Sequence, residues 1–419
     1  MRFSDIAGNN GLFMDGDWIE TKDQDPNGKV RLVQLADIGP GIFRDKSNRY
    51  ITEQKATELH CTYLKKGDIL IARLGEPLCK ACALPYDGLY ITAVDVSILR
   101  IGAGSINPRY LLFLLNSPWF KDQAKEYESG TTRKRISRKN LDKIDLTFPS
   151  LEEQERVVAR IEDLFSQLDA GVETLKNTKA QLAVYRQAVL KEAFEGRLTV
   201  HIPAITPLLW ASSDETSTLP DIPEEWHYIA LKYLGDLGRG KSKHRPRNDP
   251  KLFDDGKFPF IQTGDVKAAA NYITTFTKKY GEFGLSQSKL WPKGTLCITI
   301  AANIAETAFL GIDACFPDSV VGFTPNDSVL AEYVRYFVES QKIRLWAFAP
   351  ATAQKNINLD TLENLIVPYC SIDEQRVVIA EIESRMSVCD SIEQTVDAAL
   401  QQAEAMRQSI LKQAFEGRL

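Results

Sequence analysis

The hexapeptide AFEGRL occurs twice in the sequence, at residues 193–198 and again at residues 414–419. The two copies lie 221 residues apart, and a fixed offset of this kind indicates an internal repeat. Without any gap, residues 151–198 align with residues 372–419, and 20 of the 48 aligned pairs are identical. This extent of identity indicates that a long segment of the chain is duplicated.

The repeated segment has the pattern of a long helix, because apolar residues recur every seven positions and no proline interrupts either copy. The side chains of this predicted seam are larger in the first copy than in the second, which would let the two helices approach closely, either parallel or antiparallel. The predicted seam residues are Ile161, Leu168, Leu175, Leu182 and Val189 in the first copy, and Ile382, Val396, Ala403 and Ile410 in the second.

The remaining sequence divides into two globular segments, since 419 residues exceed one ordinary core. RLVQLADIG (31–39) resembles PFIQTGDVK (259–267), and LKKGDILIAR (64–73) resembles WPKGTLCITI (291–300); all four contain predicted strands. Both segments end in a predicted short helix, a short strand and a proline before the long helix. The sequence thus predicts two similar mixed α/β domains, at residues 1–150 and 221–371. Each precedes a long helix, at residues 151–198 and 372–419, and a proline-rich linker occupies residues 199–220.

Composition narrows the class of protein. No run of 18 apolar residues and no basic start followed by an apolar stretch is present, so we expect a cytoplasmic protein. Seven irregularly spaced cysteines favour free thiols over a disulfide framework. The net charge of -5 is a sum over segments that differ in their local charge. GTTRKRISRK (130–139) and RGKSKHRPR (239–247) each contain five Lys or Arg and no acid, which is typical of an anion-binding surface, although such runs are also common on plain solvated surfaces.

Three motifs suggest other chemistry. GDLGRGKS (235–242) fits the phosphate-loop pattern, but two prolines soon after it disfavour the helix that such a loop requires. NSPWF (116–120) and INPRY (106–110) only approximate a methyltransferase motif, and NSPWF is better interpreted as the end of a core helix. LCKAC (78–82) has one pair of cysteines where a zinc site needs four ligands. We therefore predict no catalytic residues and no metal site in this chain.

The order of domain, helix, domain and helix, with a proline before LEEQ or IDEQ and helices that end in FEGRL, resembles the specificity subunit of a type I restriction-modification system. The resemblance covers essentially the whole chain. It implies that two target-recognition domains each read half of a split site in double-stranded DNA. It also implies that the two helices pair antiparallel, set the spacing and dock two methyltransferase subunits, with restriction and translocase subunits joining them. S-adenosylmethionine and ATP with Mg²⁺ would then be bound by those partner subunits.

The candidate DNA-binding residues follow from the basic segments and from two further lysines. They are Arg133, Lys134, Arg135, Arg138, Lys139, Arg239, Lys241, Lys243, His244, Arg245, Arg247, Lys289 and Lys355.

Two alternative functions remain open at the level of sequence. The first is a coiled-coil scaffold without a DNA role, which a DNA filter-binding assay in the presence of the partner would distinguish. The second is an NTPase that uses Lys241, which loss of nucleotide binding in Lys241→Ala would support.

Overall fold

A computed structural model describes residues 1–102, 104, 106–199, 219–348 and 356–419. The chain forms two compact units. Unit 1 consists of Met1–Lys176 with Val396–Leu419, and unit 2 consists of Asn177–Thr395. Lys355 and residues 200–218 of the predicted linker lie outside the described residues. The predicted domain boundaries stay predictions.

Unit 1 contains seven strands among the residues that the structure describes. They are β1 (Leu12–Asp15), β2 (Val30–Val33), β3 (Tyr50–Ile51), β4 (Ile69–Ala72), β5 (Ala81–Ala83), β6 (Tyr90–Thr92) and β7 (Val96–Arg100). Its helices are α1 (Phe3–Ala7), α2 (Glu53–Glu58), α3 (Pro108–Asn116), α4 (Pro118–Lys125), α5 (Arg138–Leu141) and the first part of α6 (Leu151–Phe194).

Two sheets organise unit 1. The larger is antiparallel in the order β1-β7-β4-β5, and the smaller has the order β3-β2-β6 with β2 parallel to β6. All four residues of β4 are buried because both faces of the large sheet are covered. Ile69 and Ile71 contribute to one apolar cluster, and Leu70 and Ala72 contribute to another, as the alternation of side chains along a strand requires.

Unit 2 has strands β8 (His227–Ala230), β9 (Gly235–Arg239), β10 (Phe258–Phe260), β11 (Tyr272–Ile273), β12 (Lys278–Tyr280), β13 (Leu290–Trp291), β14 (Leu296–Thr299), β15 (Thr307–Leu310), β16 (Ala314–Cys315), β17 (Val320–Pro325) and β18 (Ile366–Tyr369). Its helices are α7 (Thr263–Ala268), α8 (Glu282–Ser286), α9 (Ala331–Ser340), α10 (Lys342–Phe348), α11 (Leu359–Glu363) and most of α12 (Ile372–Phe415).

The strand pairing of unit 2 repeats that of unit 1. Its large sheet has the order β9-β17-β14-β15-β11, in which the first four strands correspond to β1, β7, β4 and β5. The second sheet again contains one parallel pair, between β10 and β16. The predicted fold class, two similar mixed α/β domains with two long helices, is confirmed.

One predicted strand is absent from unit 1. The prediction of a short strand before each long helix holds for β18, which pairs over four residues with β8. Residues 142–150 form no strand, so the prediction is wrong there. The backbone pairing in this stretch is limited to Leu146, which exchanges two hydrogen bonds with Met1 at 2.7 and 2.8 Å and forms no ladder like that of β18 with β8.

Equivalent glutamines dock the start of each long helix. Gln154 is fully buried, accepts a hydrogen bond from the Asn107 backbone at 2.9 Å and donates one to the Pro149 carbonyl. Gln375 accepts from the Leu330 backbone at 2.9 Å and donates to the Cys370 carbonyl. The repeated LEEQ and IDEQ motifs therefore fix where each helix leaves its sheet.

The repeated hexapeptides complete the cores of the two units. In unit 1, Leu411 and Ala414 belong to the main apolar cluster, and the Phe415 ring lies 5.2 Å from that of Tyr110. In unit 2, Phe194 is buried, with its ring centroid 5.1 Å from Tyr333 and 5.2 Å from Phe337. Each AFEGRL copy thus packs with the globular segment that the other half of the sequence supplies.

The two long helices run antiparallel within each unit, as the resemblance implied. In unit 2, Arg186 contacts Asp390 at 2.7 Å and Glu393 at 2.9 Å. In unit 1, Arg407 forms an ion pair with Asp169. Because Arg186 aligns with Arg407 and Asp169 with Asp390 in the repeat, the same pair forms in both units with the contributing helices exchanged.

All the predicted seam residues are buried or partly buried. Ile161, Leu182, Val189, Ile382, Val396 and Ala403 are buried, whereas Leu168, Leu175 and Ile410 are partly exposed. Among the described residues, no helix is both long and apolar enough to span a membrane.

The burial of the helices predicts matched losses of stability. Ile161 and Ile382 are equivalent in the repeat and are each fully buried, in units 1 and 2 respectively. Ile161→Ala and Ile382→Ala should each lower the free energy of unfolding by about 2–5 kcal/mol, because each leaves a cavity in a core. Val184→Ala is the control, since Val184 is 71% exposed on the same helix as Ile161. Equal urea-unfolding midpoints for Ile161→Ala and Val184→Ala would contradict a core role for the helix.

Candidate nucleic-acid interface

In both large sheets, the termini of equivalent strands meet at one side of the sheet. We call this side, which lies at the ends of the strands and not along an edge strand, the basic edge. In unit 1 it is the edge where β1 and β4 end and β7 begins, because Asp15 pairs with Ser97 and Ala72 pairs with Val96. In unit 2 it is the edge where β9 and β14 end and β17 begins. The two basic segments of the sequence lie at these edges, although they are not equivalent in the repeat.

The basic segment of unit 1 is held at the edge by backbone hydrogen bonds. Arg135 exchanges two hydrogen bonds with Ser129, at 2.9 and 2.8 Å, and forms a bridge with Leu74, just after β4. The next residue, Ile136, is buried and donates its N–H to the Arg73 carbonyl at 3.0 Å. The exposed cations of the segment are therefore presented from a fixed backbone.

Some cations of this segment form ion pairs or hydrogen bonds within the protein, and others do not. Lys134 forms an ion pair with Glu128 at 2.8 Å, which raises the pKa of its ammonium group. Arg138 lies 3.6 Å from Asp15 and donates to the Phe13 carbonyl at 3.3 Å. Arg133, Arg135 and Lys139 are exposed, and no other described side chain forms an ion pair with them.

Arg73, which is not among the predicted site residues, orders this edge. Its guanidinium lies 3.2 Å from the Asp15 carboxylate and donates hydrogen bonds to the carbonyls of Ile136, at 3.2 Å, and Val94. It thereby ties the basic segment to the turn before β7. No local signal points to this role, because Arg73 follows a buried strand without a charged neighbour.

The basic segment of unit 2 begins within β9. Arg239, the last residue of this strand, donates to the backbone carbonyl of Asp318 at 2.9 Å, and Arg247 binds the Asp318 carboxylate through two contacts of 2.9 and 2.8 Å. Arg245 donates to the carbonyls of Ser242 and His244. These three arginines hold the loop in its conformation.

Of the remaining basic residues of the loop, one forms a hydrogen bond within the loop and two are exposed. His244 lies 2.7 Å from Asp249, and this hydrogen bond holds the pKa of the Asp249 carboxyl below its usual value. Lys241 and Lys243 are exposed and have no ion-pair partner among the described residues. Their backbone groups hydrogen bond with Ser288 at 2.8 Å and Gln287 at 3.2 Å.

Those contacts bring Lys289 beside the loop, as the next residue of the segment that lies against Lys241 and Lys243. Its ammonium nitrogen lies 3.5 Å from the centre of the Trp291 ring. The predicted residue Lys355 lies outside the described residues, so its position is not assigned.

The phosphate-loop pattern has a packing explanation. Gly235 to Arg239 form β9 itself, and in the described residues 240–249 no helix follows Lys241. A Cβ atom at Gly238 would lie 2.7 Å from the Trp291 ring, and one at Gly240 would lie 2.2 Å from the Phe316 carbonyl oxygen. Close packing against the neighbouring strands therefore requires these glycines. The arrangement lacks the helix N-terminus on which a nucleotide-binding loop depends.

A further set of cations in unit 1 is not among the predicted site residues, because Asp45 interrupts their run of positive charge. Arg44, Lys46 and Arg49 are exposed on the loop between β2 and β3. The loop is held by buried Asp37, which accepts hydrogen bonds from the Ser47 and Gln34 backbone N–H groups, both at 2.7 Å.

Arg31 completes this buried cluster and is 7% exposed. Its guanidinium lies 3.5 Å from Asp37 and 2.8 Å from Asp45. Burial acts to raise the pKa of Asp37, but the hydrogen bonds from Gln34 and Ser47, with the charge of Arg31, outweigh it and lower that pKa.

The cysteines are free, and six of the seven are buried. Burial raises the pKa of Cys79 and of Cys82, the pair in LCKAC, to about 12. Within the described part of the chain, no group of three His, Cys, Asp or Glu residues is arranged to hold a metal ion.

Each of the two repeated α/β units thus carries a basic segment at the same sheet edge, and such a surface is suited to an anionic ligand such as DNA. A profile of the family described as type I restriction modification DNA specificity domain matches residues 11–183 and 223–402, and the protein belongs to this family.

Relatives with the same family description are found among known proteins, and solved structures share the fold. The type I restriction enzyme EcoBI specificity subunit of Escherichia coli is 27% identical over 332 residues, which cover 77% of this chain and 68% of that protein. The StySPI specificity subunit of Salmonella potsdam is 22% identical over 327 residues, covering 75% of this chain and 66% of that protein. Thus about two thirds of each relative is matched.

The fold is similar to that of a chain in a structure described as showing complex assembly and conformational transition of the type I R-M system. The TM-score is 0.70 at 18% identity, over 100% of this chain and 97% of that one. The HsdS subunit from Thermoanaerobacter tengcongensis gives a TM-score of 0.54 at 18% identity, over 100% of this chain and 96% of that one.

The Asp37 cluster predicts a pH-dependent contribution to stability. Because its folded-state pKa is lowered, ionised Asp37 stabilises the fold above the ordinary pKa of an aspartate, and this stabilisation is lost as the pH falls through the folded-state pKa. Asp37→Asn should therefore cost on the order of 3 kcal/mol at neutral pH and progressively less in acid. Urea unfolding across pH measures this difference. Asp45→Asn, at a carboxylate that is 54% exposed, is the control with a smaller cost. A wild-type advantage over Asp37→Asn that did not change with pH would contradict the assignment.

Proposed function

We propose that this specificity subunit reads a bipartite DNA site, with each unit binding one half. The observation that carries the proposal is the presence of exposed cations at the equivalent sheet edge of both units. Arg133, Arg135 and Lys139 in unit 1, and Lys241 and Lys243 in unit 2, are suited to phosphate contacts that set the position of each unit on DNA. Base contacts from neighbouring side chains then provide the sequence specificity.

The paired helices serve as the spacer and as the docking surface for methyltransferase subunits. In unit 2, Val184, Tyr185, Val388 and Ile392 are between 40% and 71% exposed on these helices. Exposed apolar residues on paired helices are suited to packing with helices of another protein. Family membership supports methyltransferase, restriction and translocase subunits as the partners.

The chemistry belongs to those partners, and this chain is the non-catalytic subunit. In this proposal S-adenosylmethionine and ATP with Mg²⁺ bind to the partner subunits. The buried thiols and the packed glycines of β9 support this division, because neither supplies an accessible nucleophile or a nucleotide-binding loop.

A domain exchange tests the bipartite function. Residues 221–371 contain both β8 and β18, and His227 pairs with Tyr369, so the two ends of the exchanged segment lie close together. Replacing this segment with its equivalent from another specificity subunit should change one half of the methylated motif and leave the other half intact. Sequencing of methylated bases in a host that carries the system measures the motif. A folded exchange variant that altered both halves would contradict the assignment of one half-site to each unit.

The salt dependence of DNA binding tests the basic edge of unit 2. Lys241→Ala with Lys243→Ala, in the complex with the methyltransferase subunit, should reduce the slope of log K against log salt. The expected reduction is about 0.9 for each phosphate that a lysine neutralises, or up to ~1.8 for the pair, because fewer counterions are then released on binding.

The matched control for this pair is Lys232→Ala with Lys293→Ala. Both of these lysines are exposed in unit 2, but they lie just before the starts of β9 and β14, at the opposite end of the sheet. Filter binding across a salt series should leave the slope of the control unchanged. Equal slopes for the two double variants would remove the basic edge of unit 2 from the DNA interface.

A further inference from the structure

Trp18 is an unusually exposed aromatic residue close to the basic edge of unit 1. Its side chain is 71% exposed, although tryptophan is highly buried on average. It lies three residues after Asp15, the end of β1, whose carboxylate is 3.2 Å from Arg73 and 3.6 Å from Arg138. A single exposed apolar residue is common on protein surfaces, so exposure alone does not indicate a function.

The backbone on both sides of Trp18 is fixed. Gly16 donates its N–H to the Val96 carbonyl, and Asp17 donates to the Thr92 carbonyl, both at 2.8 Å. The Asp17 carboxylate also accepts the Thr62 N–H at 2.9 Å. A Cβ atom at Gly16 would lie 2.4 Å from the Ala93 carbonyl oxygen, so only glycine allows this close approach.

The residues after Trp18 are also ordered. The Glu20 carboxylate accepts a hydrogen bond from the indole N–H of Trp18 at 3.4 Å, and the Glu20 backbone N–H donates to the Asp23 carboxylate at 3.0 Å. Ile19 packs against the apolar cluster of the small sheet. The backbone that carries the exposed indole is therefore preorganised, which lowers the entropy cost of binding through it.

The charges around Trp18 indicate which part of DNA it would contact. Residues 17–25 contain Asp17, Glu20, Asp23 and Asp25 with a single cation, Lys22. A segment of that charge is repelled by phosphates, whereas the neighbouring residues 130–139 carry only positive charge. The arginines are thus suited to the DNA backbone. The Trp18 segment instead carries groups that can contact base edges, because a carboxylate accepts a hydrogen bond from the cytosine amino group and an apolar ring packs on the thymine methyl group.

We propose that Trp18 is a specificity-determining residue that makes an apolar contact with bases in the half-site read by unit 1. The indole N–H is within 3.4 Å of the Glu20 carboxylate, and because Trp18 is 71% exposed the apolar part of its ring is accessible to a ligand. Such a surface contacts a thymine methyl group or the edge of a base step. The inference rests on the proposed function and extends it from positioning to base recognition.

The segments that follow the equivalent strands β1 and β9 differ in their side chains. The segment that follows β9 in unit 2 occupies the place that the Trp18 segment occupies after β1 in unit 1. It carries Lys241 and Lys243, where unit 1 carries an aromatic ring among carboxylates. The same position thus supplies phosphate contacts in one unit and base contacts in the other.

The test uses the full chain assembled with its methyltransferase subunit and a duplex that carries the motif methylated in the host. Trp18→Ala should weaken binding to this duplex by about 5- to 150-fold, the range expected when one base contact is removed. Binding to duplexes with substitutions in the unit 1 half-site should weaken much less, so discrimination at that half-site falls. The salt slope should change by less than the ~0.9 expected for one phosphate contact.

The control is Tyr233→Ala, because Tyr233 is 63% exposed and lies before the start of β9, at the end of the unit 2 sheet opposite its basic edge. It should retain wild-type affinity and discrimination. Trp18→Phe should keep part of the affinity because it keeps an aromatic ring.

The outcomes separate this inference from the function on which it rests. A wild-type complex that bound the motif duplex no more tightly than an unrelated duplex would contradict the proposed function itself. If the wild type is specific but Trp18→Ala keeps its affinity and discrimination, the role of Trp18 is refuted. A loss of affinity accompanied by a lower salt slope would mean that Trp18 supports phosphate contacts, which also overturns base recognition.

Discussion

The burial of each repeated helix end in the core of the other half's globular segment is the constraint on which the structure depends. Phe194 packs with Tyr333 and Phe337, and Phe415 packs with Tyr110. Unit 1 is therefore assembled from two stretches, Met1–Lys176 and Val396–Leu419, and unit 2, Asn177–Thr395, includes the end of the first long helix as well as the start of the second. Since a core requires these side chains, each helix must extend beyond its own globular segment and run antiparallel to the other helix.

The reciprocal ion pairs follow from this arrangement. When two copies of one helix sequence pair antiparallel, each contact between them occurs twice. The second occurrence joins the equivalent residues with the two helices exchanged. The Arg186–Asp390 and Arg407–Asp169 contacts satisfy that rule. Exposed ion pairs contribute little stability individually, so their main effect is to favour this alignment of the helices over alternatives.

The globular segments show how one topology can carry two recognition surfaces. Their large sheets have corresponding strand orders, and their buried central strands, β4 and β14, need apolar residues on both faces. The loops at the basic edge are free of that requirement because they lie on the surface, and their sequences have diverged. As a result the main cationic segment follows α4 in unit 1 but follows β9 in unit 2.

The sequence by itself determined the duplication, the two long helices and the α/β class, because heptad spacing and buried-strand patterns are local and periodic. It also located the basic segments, since charge is read directly from composition. Only the tertiary structure decided that both segments lie at the same sheet edge and that Asp318 and Asp15 engage several of their arginines. It likewise showed that the glycines of GDLGRGKS are needed for strand packing. These features depend on contacts between residues far apart in the chain, such as Arg247 with Asp318 or Arg73 with Ile136, and no local pattern in the sequence encodes such contacts.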